Sequence, residues 1–407
     1  MYTPPIPPEI VDTIIDCAWE LYCESTMGRA NARWDPWVNF DREPLNVLAL
    51  VSRSWVARAR HCAFQDLMLR RKWSSDARQF TTALLEHPLC TIREHVLRLH
   101  FEGGGRPIHD IADISYLQGF TNLKSLCLEH LGFEEQPLPA QSSIFESVLP
   151  LPATLQNLEL GGCIFPNVER LLELIACATG LRSLRCSEVF VRASIPRTGI
   201  QSTPQLLTEL SIYAAYDSCL QVLEWISSAP VPPRIANLEL RGISAQNMDV
   251  VSKALHILGP SVVTLSLLLA ANLNQYPLAI ADLSTLQNLR CLVIACSFSQ
   301  YGPIGVEVPL ILARLAENCK TAQSITFRIY ELSAEDDGLL TVPWDAIVAT
   351  LNGPSFRQLE RIVLQLEPPP PWLDEWPHAT WDLLKRRITI SQQLLGNVTL
   401  VCLLERD

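Results

Sequence analysis

Thirteen cysteines and eight histidines are the side chains in this sequence most able to bind metal or act as nucleophiles. A zinc centre needs such residues clustered at ligand spacing, as in C-x-x-C. No C-x-x-C occurs, and the close pairs Cys17/Cys23 and Cys291/Cys296 have no neighbouring histidine. Buried structural thiols are the expectation, with no metal and no cofactor. His95 and His100 could form a catalytic pair, but by type and position they read as exposed polar residues. Gly103-Gly104-Gly105-Arg106 reads as a turn rather than a phosphate cradle, because neither G-x-S-x-G nor G-x-x-x-x-G-K-[ST] is present. Glu335-Asp336-Asp337 reads as a solvated loop, and Arg70-Arg71-Lys72 as a small basic cluster. With no nucleophile, metal or phosphate constellation, no catalytic residue is expected and the chain does not read as an enzyme.

The elements that carry these residues must come from a long, mildly acidic chain. It has 407 residues and a net charge of −11, with 48% hydrophobic and 18% charged residues. Single cores usually stop growing at about 250–300 residues, so two domains or an elongated repeat array are expected. The apolar content excludes a disordered chain, and the acidic balance argues against a nucleic-acid partner. The longest apolar stretch, around Val262–Leu273, falls short of the roughly 20 residues a membrane span needs. The opening MYTPPIPPE lacks the charge and hydropathy pattern of a secretion signal, and the cysteine count is odd. Free thiols in an intracellular, reducing compartment, cytoplasmic or nuclear, are therefore expected.

Self-similarity organises most of the sequence. The pattern apolar-x-x-apolar-x-apolar starts at Val96, Leu123, Leu155, Leu181, Leu207, Ile235, Val262, Leu289, Ala322, Leu359 and Val398. Successive starts lie 26–33 residues apart as far as Ala322, then 37 and 39. Alternation within each match predicts a short strand with one buried face. Helical stripes lie between some of the matches: Val168, Leu171, Leu172, Leu174, Ile175; Val250, Val251, Ala254, Leu255, Leu258; and Leu310, Ile311, Ala313, Leu315, Ala316. One strand and one helix cannot bury their own apolar faces, so units must stack.

This pattern resembles the leucine-rich-repeat family, consensus L-x-x-L-x-L-x-x-N/C-x-L. Leu155, Leu158, Leu160, Cys163 and Phe165 fit it throughout. Other copies depart at the ninth position, with Leu131, Val189, Ala215, Ile243 and Ser297 there, so an asparagine ladder is absent. The resemblance implies an α/β solenoid of about ten to eleven repeats over residues 90–407, irregular after about 320. A doubly wound α/β sheet is the alternative; it predicts longer apolar strands and a Gly-rich phosphate turn.

Residues 1–70 follow a different pattern. Ile10, Ile14, Ala18 and Leu21, with Ile15 alongside, share one face of a helix that starts after Pro7-Pro8. Leu45, Leu48, Val51 and Trp55 form a second stripe, and Ala63, Phe64, Leu67 and Leu69 a third apolar set. Ile6-Pro7-Pro8-Glu9-Ile10 and Val51-Ser52-Arg53-Ser54-Trp55 resemble the two hallmark stretches of the F-box, as in fungal F-box-like sequences. The connector at about 20–43, containing Trp34, Trp37 and Phe40, is longer than the F-box norm. The resemblance implies a substrate-recognition adaptor of an SCF-type ubiquitin ligase. In that role Pro7, Ile10, Ile14, Leu48, Val51 and Trp55 would contact a Skp-type adaptor and, through it, a cullin. The competing reading is a helical cap on a protein-interaction scaffold without a ligase link. A cap presents apolar residues to the first repeat alone, whereas an F-box needs two apolar faces.

Positions three, five and seven of each strand would line the concave face of such an array. They read Arg98, His100, Glu102; Ser125, Cys127, Glu129; Asn157, Glu159; Ser183, Arg185, Ser187; Glu209, Ser211, Tyr213; and Asn237, Glu239, Arg241. Thr264, Ser266, Leu268 and Cys291, Val293, Ala295 then turn nearly apolar. A target-protein site formed by Tyr213, Glu239, Arg241, Leu268 and Val293 is one expectation, with an apolar centre and a charged rim. The other is that the late segments, including Pro368–Pro371 and Trp372 ahead of a helical stretch at Trp376–Leu395, fold across these strands.

Overall fold

A computed structural model describes residue 7 and residues 9–17, 55–70, 92–103, 107–108, 119–133, 151–193, 203–243, 246–269, 283–297, 307–330, 344–366 and 399–404. The 20–43 connector, Leu48, Val51, Glu335–Asp337 and the 368–395 region lie outside the described residues. The chain divides into two compact units, Met1–Leu158 with Asp407, and Glu159–Arg406.

The first unit holds a helix at 9–17, a helix Val56–Gln65, and strands β1 (Asp66–Arg70), β2 (Arg98–Glu102), β3 (Pro107–Ile108), β4 (Ser125–Glu129) and β5 (Gly132–Phe133). β1, β2 and β4 run parallel side by side, and β3 pairs with β5. β1 is an addition to the expected strands. Leu67 and Leu69 alternate with the period of a strand, and this segment pairs in register with Arg98–Glu102 rather than extending the helix before it.

β6 (Asn157–Gly161) carries the division between the units. The second unit continues with β7 (Ile164–Asn167), β8 (Ser183–Ser187), β9 (Phe190–Ala193), β10 (Glu209–Tyr213), β11 (Asn237–Ile243), β12 (Thr264–Leu269), β13 (Cys291–Ser297), β14 (Ser324–Tyr330), β15 (Arg361–Leu366) and β16 (Thr399–Leu404). β8, β10, β11, β12, β13, β14, β15 and β16 form one large parallel sheet in that order, and it does not close on itself among the described residues. The fold is thus mixed α/β, built on a parallel sheet. Each of the eleven repeated segments of the sequence contains one of its strands or those of the first unit.

The same hydrogen bonds recur at most steps. The carbonyl at position two of one segment accepts two amides from the next: Leu97 from Lys124 and Ser125, Arg182 from Thr208 and Glu209, Gln323 from Glu360 and Arg361, all at 2.8–3.1 Å. Just ahead of three segments a hydroxyl bonds the position-one carbonyl of the preceding one: Thr154 to Leu123 at 2.9 Å, Ser261 to Ile235 at 2.9 Å and Thr321 to Leu289 at 2.8 Å. At position eight the backbone often turns left-handed, at His130 and Glu188 (φ 53°), Gly162 (59°) and Gly242 (66°). That turn ends β4, β6 and β8, whereas in β11 Gly242 lies within the strand, where the register shifts between Arg241 and Ile243. Gly103 holds the equivalent place, where an added Cβ would lie 2.5 Å from the His130 carbonyl oxygen, so close backbone approach explains the first glycine of its run.

Constant register places position four in a single buried row: Leu184, Leu210, Leu238, Leu265, Leu292, Ile325 and Ile362. Parallel neighbours need crossover connections, and described helices lie on those that lead to β8, β11, β12, β14 and β15. Helix Val168–Cys177 is capped by Asn167, whose side-chain oxygen accepts from the Arg170 amide at 3.0 Å, and buries Leu171, Leu172, Leu174 and Ile175. Met248–Leu258 buries Val251, Ala254, Leu255 and Leu258. In Glu307–Asn318 the buried stripe is Val308, Ile311, Leu312 and Leu315, whereas Leu310 and Ala313 of the expected stripe face out. Two further helices, Asp217–Ser227 and Trp344–Leu351, complete the described set of the second unit.

Candidate functional site

In the first unit the helix at 9–17 opens on Pro7, whose carbonyl accepts the amides of Ile10 and Val11 at 3.0 and 3.2 Å. Pro7 itself is exposed. Ile10 and Ile14, one turn apart, are 51% and 41% exposed, whereas Val11 and Ile15 are 4% and 0% exposed. The helix therefore has two apolar faces, one buried and one open. A bidentate ion pair from Arg58 Nε and Nη2 to Asp16 (2.8 and 2.5 Å) ties it to helix Val56–Gln65, just after the half-buried Trp55. That guanidinium, chiefly through its hydrogen bonds, holds the Asp16 carboxyl below its ordinary range. Burial beside it pushes the Cys62 thiol up to about 11, so this cysteine is an inert structural thiol at neutral pH.

The histidines pair differently from the sequence expectation. His95 meets His61, with Nδ1 atoms 3.2 Å apart and rings edge to face. Burial, Arg58 and His95 together lower the His61 pKa against the opposing pull of Asp16. His100 stands 3.0 Å from Glu129, through Nε2 and Oε2, and the two side chains keep only 11% and 19% exposure. They are not the exposed polar residues that their types suggested. The His100 contact is the main cause that holds the Glu129 carboxyl low.

In the second unit, position five aligns Arg185, Ser211, Glu239, Ser266, Val293 and Thr326, and position seven aligns Tyr213, Arg241, Leu268 and Ala295. Glu239 is the polar hub. It accepts from Ser211 Oγ at 2.6 Å and from Arg241 Nε and Nη2 at 2.9 and 2.7 Å. Burial alone would raise its pKa, but Arg241, Ser211 and Arg185 outweigh that and hold it below the usual carboxylate value. Tyr213 packs edge to face on Tyr216, which meets the exposed Phe190 in the same way. Leu268 and Val293 are both half-buried. Ala295 and Val363, on the same face, are buried. The five expected residues thus share one face, polar at Glu239 and Arg241 and apolar at Leu268 and Val293.

The described cysteines are all free. Cys163, Cys186, Cys219 and Cys319 are buried; Cys219 is pushed up to about 11 by burial, and Cys186 is raised by burial and its neighbouring thiols. No described helix is long and apolar enough to cross a membrane.

Reading along the chain missed one grouping. His100, Cys127 and Glu129 bring their donor atoms within 4.8 Å of one another. Their ligand spacing runs between strands, through positions five and seven of consecutive repeats, so only a vertical alignment of the repeats would have shown it.

No family model matches the sequence, and no curated protein matches it. Among solved structures, the chain is similar to a crystal structure of a Bacteroides fragilis protein at 14% identity, with a TM-score of 0.33, over 65% of this chain and 68% of that one.

Proposed function

We propose that this protein is the substrate-recognition adaptor of an SCF-type ubiquitin ligase. On this reading the N-terminal helices bind a Skp-type adaptor and through it a cullin, and the parallel strands belong to a leucine-rich-repeat-like solenoid that holds a target protein. The observation that carries the proposal is the pair Ile10 and Ile14, left open on a helix whose neighbouring face, Val11 and Ile15, is already buried. Solvent-exposed isoleucines one turn apart suit an apolar groove on a partner, the mode by which amphipathic helices are usually recognised. The target surface of this reading is the face carrying Tyr213, Glu239, Arg241, Leu268 and Val293, a mixed polar and apolar patch of the kind protein interfaces use.

The test is binding of the purified chain to a Skp-type adaptor, with Ile10→Asp and Ile14→Asp as variants. Both positions are exposed, so circular dichroism should stay native. Each substitution is expected to weaken the complex about tenfold or more, the worth of burying much of an isoleucine. Absence of wild-type binding would remove the ligase reading and leave the protein-interaction scaffold.

A further inference from the structure

His100 on β2 and Cys127 and Glu129 on β4 form a cluster of three potential ligands, with Glu102 beside them in the strand register. His100 stands opposite Cys127 in register, and Glu102 opposite Glu129. The spacing His-x-Glu on one strand and Cys-x-Glu on the next keeps all four on one face of the parallel pair. His100 Nε2 lies 3.0 Å from Glu129 Oε2, and Cys127 Sγ lies 3.8 Å from Glu129 Oε1. Ligands of a tetrahedral zinc ion stand about 3.3–3.6 Å apart, as Zn–N and Zn–O near 2.0 Å and Zn–S near 2.3 Å require. One donor atom from each side chain lies within 4.8 Å of the others, a separation that side-chain rotation can bring to that spacing.

We propose that His100, Cys127 and Glu129 bind a zinc ion, with the fourth position left to a water molecule. Thiolate, imidazole and carboxylate together select zinc over the hard cations magnesium and calcium. Binding converts the Cys127 thiol to thiolate and releases its proton to solvent, while His100 ligates as neutral imidazole through Nε2. The ion joins β2 to β4 across residues 27 positions apart in sequence, and so stabilises the first unit by mass action.

The experiment uses the full chain and zinc alone, titrated in competition with a chromophoric chelator, followed by cobalt substitution. One equivalent of zinc is expected. The cobalt form should show the ligand-field bands of a tetrahedral site and a near-ultraviolet thiolate-to-metal band. Cys127→Ser should remove the thiolate band, and His100→Gln should weaken zinc binding by at least roughly tenfold, the loss that even outer-shell partners cause. Cys291→Ser, a half-buried thiol on β13, should change neither. Should Cys127→Ser fail to fold, Glu129→Gln replaces it, with the same tenfold loss expected. Absence of zinc binding, or binding left unchanged by the His100 and Glu129 variants, overturns the site.

Discussion

Glu239 shows how a polar side chain can be held on a half-buried sheet face. Its carboxylate is stabilised by two bonds from Arg241 and one from Ser211, so its folded pKa falls below the ordinary value of 4.5. A depressed carboxyl contributes stability that is fully present above about pH 4.5 and is lost as pH falls through the folded value. Glu239→Gln should cost about 1–2 kcal/mol at pH 7 and flatten that part of the acid limb, measured by urea denaturation at a series of pH values. His61 acts in the first unit with the same sign over a different window. Its pKa is lowered from 6.5, so its contribution is complete above about pH 6.5 and declines as acid protonates the unfolded chain first. His61→Gln should remove a stability loss that begins below pH 6.5, because Gln does not titrate. The difference between wild type and variant, followed from pH 7.5 to 5, checks the sign. The residue types at position five and seven were readable from the repeat alignment. Their contacts were not, since each depends on a partner about 27 residues distant.

Strands were the legible elements. Short alternating segments at nearly constant spacing leave few other ways to bury an apolar face, and Leu210, Leu238 and Leu265 fall into one buried row as that logic requires. Helix Asp217–Ser227 was harder to read because its buried face opens on Ser218 and Cys219 and closes on Ser227, with Leu220, Val222, Leu223 and Ile226 between them. Trp344–Leu351 is only eight residues long, too short for a periodic signal to stand out. The left-handed turn at position eight also escaped notice, since histidine and glutamate occupy it in two repeats. Where glycine occupies it, the consequence is measurable. A methyl on Gly242 would meet the Tyr213 ring at 2.5 Å at a backbone φ of 66°. Gly242→Ala should therefore destabilise the protein by about 1–3 kcal/mol, and the steric part should shrink in a Gly242→Ala, Tyr213→Ser double variant. Asn167→Ala removes the N-cap of Val168–Cys177 and should cost about 0.5–2 kcal/mol by thermal denaturation.

At the scale of the whole molecule, stability is shared between two compact units. Leu126 and Leu240 are buried in different ones, and truncating either to alanine should cost about 2–5 kcal/mol. Hydrogen exchange should locate each loss, with Leu126→Ala raising exchange around β4 and Leu240→Ala around β11. Uniform exchange gains in both places would show instead that the chain unfolds as one. The length and apolar content predicted a chain too large for one core, but composition carries no mark of where a division falls; it falls inside β6, whose own sequence is the most regular copy of the repeat. Finally, the strands of the second unit's large sheet pair with their sheet neighbours in a constant register at position four, the single shift lying at the end of β11. Excising residues 209–236 would bring Asn237 beside Ser183 with the alternation of side chains intact. A slip of one residue would instead invert each side chain of the strand. The natural unit of change in this sheet is therefore a whole repeat of about 27 residues: loss or gain of one leaves the alternation of the remaining strands in step, whereas a single residue inserted in a strand does not.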